Sequence, residues 1–194
     1  MALPFTDEQR AQIRKRLFES AQRHALSIGV RKTSLDALTA DAGISKSSFY
    51  KFYESKEQLF LEVAGCWEEQ ILSRAARTLE TKEHLGNKAR AAAFVFAAFE
   101  AVHQLGVVRF MREDMPYLNS FIPKDKAREH CISSASSIFE KLQQAHIRFT
   151  APDDTVRSAI ELMYLSILSI SDLGENFFPA LRAMVEGACE KLVA

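Results

Sequence analysis

The sequence predicts an all-α chain, with a small N-terminal unit of three helices and a larger helical remainder. Three observations predict it. Apolar residues recur at steps of three and four along nearly every segment. Strand-like alternation and the Asn-Gly or Asp-Gly pairs of tight hairpins are missing. Only 7 Gly and 5 Pro interrupt 194 residues, so long unbroken elements are expected.

The first helix is expected over 7–28. Thr6 precedes an acidic first turn, Asp7 and Glu8, which suits the positive end of a helix dipole. Ile13, Leu17, Ala21, Ala25 and Ile28 form one face, and Gly29 stops the pattern. A short helix follows over about 34–42, lined by Leu35, Leu38 and Ala42, with Thr33 and Asp36 as a variant capping box. Gly43 permits a left-handed turn, and Ser45 offers the N-cap of a second short helix reaching about Tyr53. Phe49 and Phe52 are expected on its inner face. Ser55 and Gln58 form a capping box that opens a long helix striped by Leu59, Val63, Trp67 and Ile71. Further amphipathic stretches run over 89–105, 108–114, 124–145, 153–172 and 178–193. Breaks fall at Gly86-Asn87, Gly106, Pro116, Pro123, Ala151-Pro152 and Gly174. No internal repeat or low-complexity segment interrupts the pattern.

Composition narrows the class. Hydrophobic residues at 47% and charged residues at 26% are those of a globular protein rather than a disordered one. The net charge of zero hides an asymmetry. Residues 1–60 carry 10 Lys and Arg against 7 Asp and Glu, and residues 61–194 carry 15 against 18. That bias permits a polyanionic partner at the N-terminal end without demanding one. Cys66, Cys131 and Cys189 are scattered and lack CxxC spacing, which argues against a zinc ribbon or a disulfide framework. Buried apolar thiols are the simpler reading, and a redox role for any of the three stays open. No apolar signal segment opens the chain, and the stretch 89–102 falls short of the ~20 apolar residues a membrane span needs. The expected location is the cytoplasm, with no membrane partner.

Two short capped helices joined by a Gly turn make a helix-turn-helix. One helix fits the major groove of B-DNA, and a partner helix holds its angle. Leu35, Leu38, Ile44 and Phe49 supply the packing between them. The outer face of the second helix reads Lys46, Ser47, Ser48, Tyr50 and Lys51. The small serines allow close approach, the lysines supply charge, and Tyr50 offers a hydroxyl to a phosphate or a ring edge to a thymine methyl. The alternative is an ordinary helical hairpin with a solvated polar face.

The wording of this segment is more specific than its pattern. Residues 29–35, GVRKTSL, then 42–46, AGISK, then 49–60, FYKFYESKEQLF, resemble the TetR family of bacterial regulators. The resemblance covers about residues 13–63, and the rest of the chain matches only in length and helical character. It implies an N-terminal helix-turn-helix DNA-binding domain at 7–60 and a C-terminal helical ligand-binding and dimerisation domain at 61–194. It further implies that Thr33 and Ser34 bind backbone phosphate, that Lys46, Ser47 and Ser48 face base edges, and that Tyr50 and Lys51 hold flanking phosphates. Lys56 would reach the backbone from the start of the long helix. Two positions depart from the family, which often has Gly where this chain has Ser47 and Ala where it has Thr39. Double-stranded DNA with a palindromic operator is the implied partner, read by a homodimer whose recognition helices lie about one DNA turn apart, roughly 34–36 Å.

The resemblance places dimerisation in the last two helices. Val156, Ile160, Met163 and Ile167 form one stripe there, and Leu181, Met184, Val185 and Ala188 another. An intramolecular core is the alternative use of the same stripes. An unidentified small-molecule effector would lie in the middle section, where Trp67, Phe96, Phe99, Phe110, Tyr117 and Phe121 are candidate lining residues among aromatics that mostly build core. The expected function is a ligand-responsive regulator, a repressor before an activator, with a helical sensor that binds no DNA as the alternative outside the class. No cofactor is expected. Glu100 and His103 form a single E-x-x-H pair where a di-iron bundle needs two. Glu129, His130 and Cys131 are adjacent and so diverge around a helix. With no H-E-x-x-H, G-x-S-x-G or phosphate-binding Gly loop, an enzyme is not expected.

Overall fold

Thr6 starts the first helix with a reciprocal cap. Its hydroxyl accepts the Gln9 N–H at 3.2 Å, and the Gln9 side-chain oxygen accepts the Thr6 N–H at 2.9 Å. The computed structural model describes residues 5–122 and 134–194. In chain order the helices are α1 (Asp7–Ser27), α2 (Leu35–Ala42), α3 (Lys46–Phe49), α4 (Lys56–Thr81) and α5 (Asn87–Gln104). A π-helical turn (Phe110–Asp114) runs into α6 (Met115–Asn119). Then come α7 (Ser134–Gln144), α8 (Asp153–Ile167), α9 (Ile170–Leu173), a 3₁₀ turn (Gly174–Asn176) and α10 (Phe177–Leu192). Among the described residues the fold is all-α, with one isolated antiparallel bridge between Phe149 and Val193.

The chain divides into two units: Met1–Cys66 with Arg109–Phe121, and Trp67–Val108 with Ile122–Ala194. The expected division at residues 60 and 61 differs from this in two respects: the boundary lies between Cys66 and Trp67, and a later segment joins the first unit. The segment Arg109–Phe121 packs with the N-terminal helices rather than with its sequence neighbours. Its buried Asp114 accepts the backbone N–H of Val30 at 3.1 Å, a long-range bond that no local pattern announces. Pro116, expected as a break, sits in the first turn of α6, where a missing N–H costs nothing.

In the first unit, α1 packs on α2 and α2 on α3, and Leu17, Ala21 and Ala25 of α1, Leu38 and Ala42 of α2, Phe49 of α3, and Leu59 and Phe60 of α4 are all buried. Burying side chains of that size is worth about 1.5–3 kcal/mol each, more than enough to hold short helices with few internal hydrogen bonds. Ile28, expected on the α1 core face, is 46% exposed because it caps the helix just before Gly29 turns the chain at φ +86°. Asp41 ties α2 back to α1. It accepts Ser20 Oγ at 2.6 Å and Arg23 Nη2 at 3.0 Å, and lies 3.2 Å from His24 Nε2. The Ser20 bond foremost, aided by His24 and Arg23, holds the Asp41 carboxyl below its ordinary range.

In the second unit, α5 packs along α10 and α7 along α8. Phe94, Phe99, Ile138, Phe139, Leu142 and Ile167 are fully enclosed. The expected helix at 124–145 is described from Ser134, and its beginning, with Glu129, His130 and Cys131, lies outside the described residues. The expected helix at 153–172 ends at Ile167, where Ser166 bonds back to the Met163 carbonyl and Leu168 and Ser169 close i→i+3 turns.

Candidate nucleic-acid interface

The interface is built from two helix starts and a turn. Ser34, not Thr33, is the N-cap of α2, and its hydroxyl accepts the Ala37 N–H at 3.1 Å. Gly43 ends α2 in the left-handed conformation at φ +71°. Ser45 caps α3 by accepting the Ser48 N–H at 3.2 Å. Helical hydrogen bonding in α3 covers four residues, and the expected extension to Tyr53 is a run of turns. Phe49 is fully buried, and the Tyr53 ring packs against it, tilted by 31°, at 5.7 Å between ring centroids. Phe52, expected inside, is half-exposed and covered by Phe5 and Arg10. Tyr53 takes its place, and burial pushes its phenol up to about 12, so it stays neutral.

This anchoring turns the other side of α3 to solvent. Lys46, Ser47, Tyr50 and Lys51 are exposed, with Tyr50 at 61%, and Ser48 is half-buried. The three hydroxyls of Ser45, Ser47 and Ser48 form one cluster, with Oγ–Oγ distances of 2.9 and 3.0 Å to Ser45. Such hydroxyls donate or accept as a base edge or phosphate requires. Lys46 is not free in this state: its Nζ lies 2.8 Å from Asp36 Oδ1. Ser34 is exposed beside this face.

Two residues expected to touch phosphate make hydrogen bonds within the chain. Thr33 is buried and its hydroxyl donates to the Gly29 carbonyl at 2.7 Å. Lys56 is largely enclosed, and its ammonium donates to the carbonyls of Val30 at 3.0 Å and Thr33 at 2.8 Å. Both hold the α1–α2 connection in shape. Thr39, the departure from the resemblance, is satisfied within its own helix, donating to the Leu35 carbonyl at 2.9 Å.

The same connection is clamped by Arg109 and Asp114, which the sequence pattern does not mark, and by Tyr117, which was expected at an effector site. Arg109 donates to the Ala25 carbonyl at the end of α1, and Asp114 accepts from Val30. Tyr117 donates to Glu57 at 3.0 Å while Arg31 covers its ring at 4.9 Å. Partial burial, then the Glu57 bond, raises the Tyr117 phenol above its ordinary value.

The aromatics proposed to line an effector site separate. Phe110, Tyr117 and Phe121 belong to the first unit, with Phe110 buried and Phe121 half-exposed against Tyr117. Trp67 and Phe99 are buried in the second unit. Phe96 alone of the six lines a cleft of about 950 Å³ walled by α5 and α10. Lys82 and Lys88 are among its lining residues, and Arg182 lies 3.9 Å over the Phe96 ring. Of the expected dimer residues, Val156, Ile160, Met163, Ile167, Leu181 and Val185 are buried within the single chain, so they build its core. Ala188 is half-buried and Met184 is 53% exposed. His103 packs its ring against Phe178 at 5.2 Å. Among the described residues no three His, Cys, Asp or Glu side chains gather as metal ligands, and no helix is long and apolar enough to cross a membrane.

The comparisons with known proteins agree with this geometry. Residues 17–63, the segment that builds the interface, match the family described as "Bacterial regulatory proteins, tetR family". Over 182 residues the chain is 25% identical to YhgD of Bacillus subtilis (strain 168), an uncharacterised HTH-type transcriptional regulator, covering 93% of this chain and 94% of that one. Its fold is similar to a tetR-family regulator from Shewanella sp. PV-4, at TM-score 0.63 and 16% identity over 94% and 98% of the two chains. It is also similar to FadR from Bacillus subtilis in complex with stearoyl-CoA, at TM-score 0.58 and 17% identity over 90% and 96%. Over residues 17–63 the chain is thus similar to the tetR family of bacterial regulatory proteins, and over most of its length its fold is similar to solved regulators of that family.

Proposed function

We propose that the chain is a repressor that grips a palindromic operator as a homodimer and lets go when a small molecule binds its second unit. The observation that carries the reading is the division of α3, with Phe49 and Tyr53 anchored inside and Lys46, Ser47, Tyr50 and Lys51 outside. An outer face that is small, polar and basic is what a major-groove reader requires. Ser34 and Lys51 are the proposed phosphate contacts at its edges.

Dimerisation is assigned to the outer faces of α8 and α10. Leu162 at 67%, Leu165 at 49% and Met184 at 53% are large apolar side chains left in water. Exposed apolar groups on two packed helices suit a self-complementary four-helix contact. The cleft at Phe96 is the candidate effector site, of a size usual for small ligands. Release would act on the Arg109–Phe121 clamp, whose hold on the α1–α2 connection sets the angle of α2 and α3. A regulator of this kind is expected in the cytoplasm.

The test is a selection of random duplex DNA on the purified full-length chain, repeated with Tyr50→Ala and Lys46→Ala. Enrichment of an inverted repeat by the wild type, weakened or altered in the variants, is the expected result. Absence of any enriched sequence with folded, dimeric protein would defeat the reading.

A further inference from the structure

We propose that Asp36 is a specificity-determining residue: its carboxylate holds the Lys46 ammonium back from phosphate, so that α3 grips DNA firmly only where bases reward Lys46 for leaving it. The inference rests on the placement of α3 against DNA proposed above.

The pair joins the first turn of α2 to the first residue of α3, on the outward side of the helix-turn-helix. Lys46 Nζ lies 2.8 Å from Asp36 Oδ1, with the two side chains 56% and 71% exposed. An ion pair so open to water adds little to folding. The two helices are held instead by buried Leu38, Ala42 and Phe49 beneath it. Asp36 also stands in the first turn of α2, where an acid suits the helix dipole, but that role does not require the carboxylate to hold Lys46.

Its effect on binding follows from charge. The face offers a polyanion few cations, and Asp36 neutralises one of them. When a paired lysine moves to a phosphate, the cation it frees from the DNA is offset by the carboxylate left uncompensated near the backbone, which draws a cation back. Non-specific binding, which rests on counterion release, is reduced by that amount. At a base edge rich in acceptors, such as guanine O6 and N7, Lys46 would recover the loss through a directed hydrogen bond. Asp36 thus acts through Lys46 as a positioning residue.

The experiment titrates salt against binding of the full-length chain to a random-sequence duplex, using wild type, Asp36→Asn, Lys46→Met and the double variant. Asp36→Asn should bind about five- to tenfold more tightly at ~0.1 M salt, with the log–log salt slope steeper by about one, the worth of one added phosphate contact. In the Lys46→Met background the same replacement should change affinity by less than about twofold, the mark of an effect carried by Lys46. Equal binding by wild type and Asp36→Asn overturns the inference and leaves the DNA-binding reading intact. An effect of full size in the Lys46→Met background overturns it too, since Asp36 would then act as a bare charge. Wild type that binds no duplex at low salt defeats the DNA-facing assignment itself.

Discussion

The Asp114 carboxylate accepts the backbone N–H of Val30 at 3.1 Å, joining residues 84 positions apart. Its second oxygen sits where an added Cβ on Gly29 would come within 3.2 Å, and Arg109 Nη1 crowds the same point at 3.0 Å. Asp114→Ala leaves a buried N–H unpaired and should cost about 1–3 kcal/mol. Gly29→Ala meets both the contact and a backbone at φ +86°, and should cost at least about 1 kcal/mol. Thermal melts of the two variants check the stability. The same variants should bind DNA more weakly even at temperatures where they are folded, because the α1–α2 connection that they loosen carries α2.

Lys56 and Lys51 should separate in a salt titration. Lys56 donates to two backbone carbonyls, so Lys56→Met should lower the melting temperature, by about 1–3 kcal/mol in free-energy terms, with the salt slope of DNA binding unchanged. Lys51 is exposed, so Lys51→Met should leave the melt unchanged and flatten the slope by about one. A flattened slope for Lys56→Met would return that residue to the phosphate contacts.

Core and dimer substitutions on one helix should behave differently. Ile160 is buried and Leu162 is 67% exposed, both on α8. Ile160→Ala should destabilise the chain by about 2–5 kcal/mol through a cavity. Leu162→Glu should leave each chain folded and shift sedimentation from dimer to monomer. A Leu162→Glu protein that remains dimeric would move the interface elsewhere.

Asp41 sets a pH dependence. Its folded pKa is lowered, so its stabilisation is present above the unfolded carboxylate value of about 3.8 and is lost as pH falls through the folded value. Asp41→Asn should therefore melt lower than wild type at pH 7, by no more than about 1 kcal/mol because the carboxylate is partly exposed. The two melting curves should converge as pH falls through the lowered folded value of Asp41. A constant gap across that range would assign the loss to packing and not to ionisation.

Cys189 is buried, and burial pushes its thiol up to about 11. At pH 8 it should resist alkylation in the folded chain and react on unfolding, since the thiolate is the reactive form. Rapid labelling of the native protein at Cys189, read by mass spectrometry, would reopen a redox role.

Local physics made the elements of the first unit legible in the sequence. Leu17 and Ala21 follow the helical period, Gly43 meets the need for a left-handed turn, and Ser45 and Ser55 lie where the first N–H groups of a helix lack partners. The face of α3 was legible for the same reason, because helical period assigns Phe49 inward and Tyr50 outward. What lies far apart in sequence was decided by tertiary structure alone. The resemblance implies phosphate roles for Thr33 and Lys56, and only the folded chain shows that each also bonds a carbonyl of the α1–α2 connection. An apolar stripe states that Ile160 and Val185 are buried, not by what, and the chain's own core covers them. The Asp36–Lys46 pair, and the Asp114 bond that gathers Arg109–Phe121 to the first unit, depend on a folded chain to bring their partners within 3.1 Å. Helical period and capping act within about four residues, whereas which buried or charged groups meet is settled only when the helices pack.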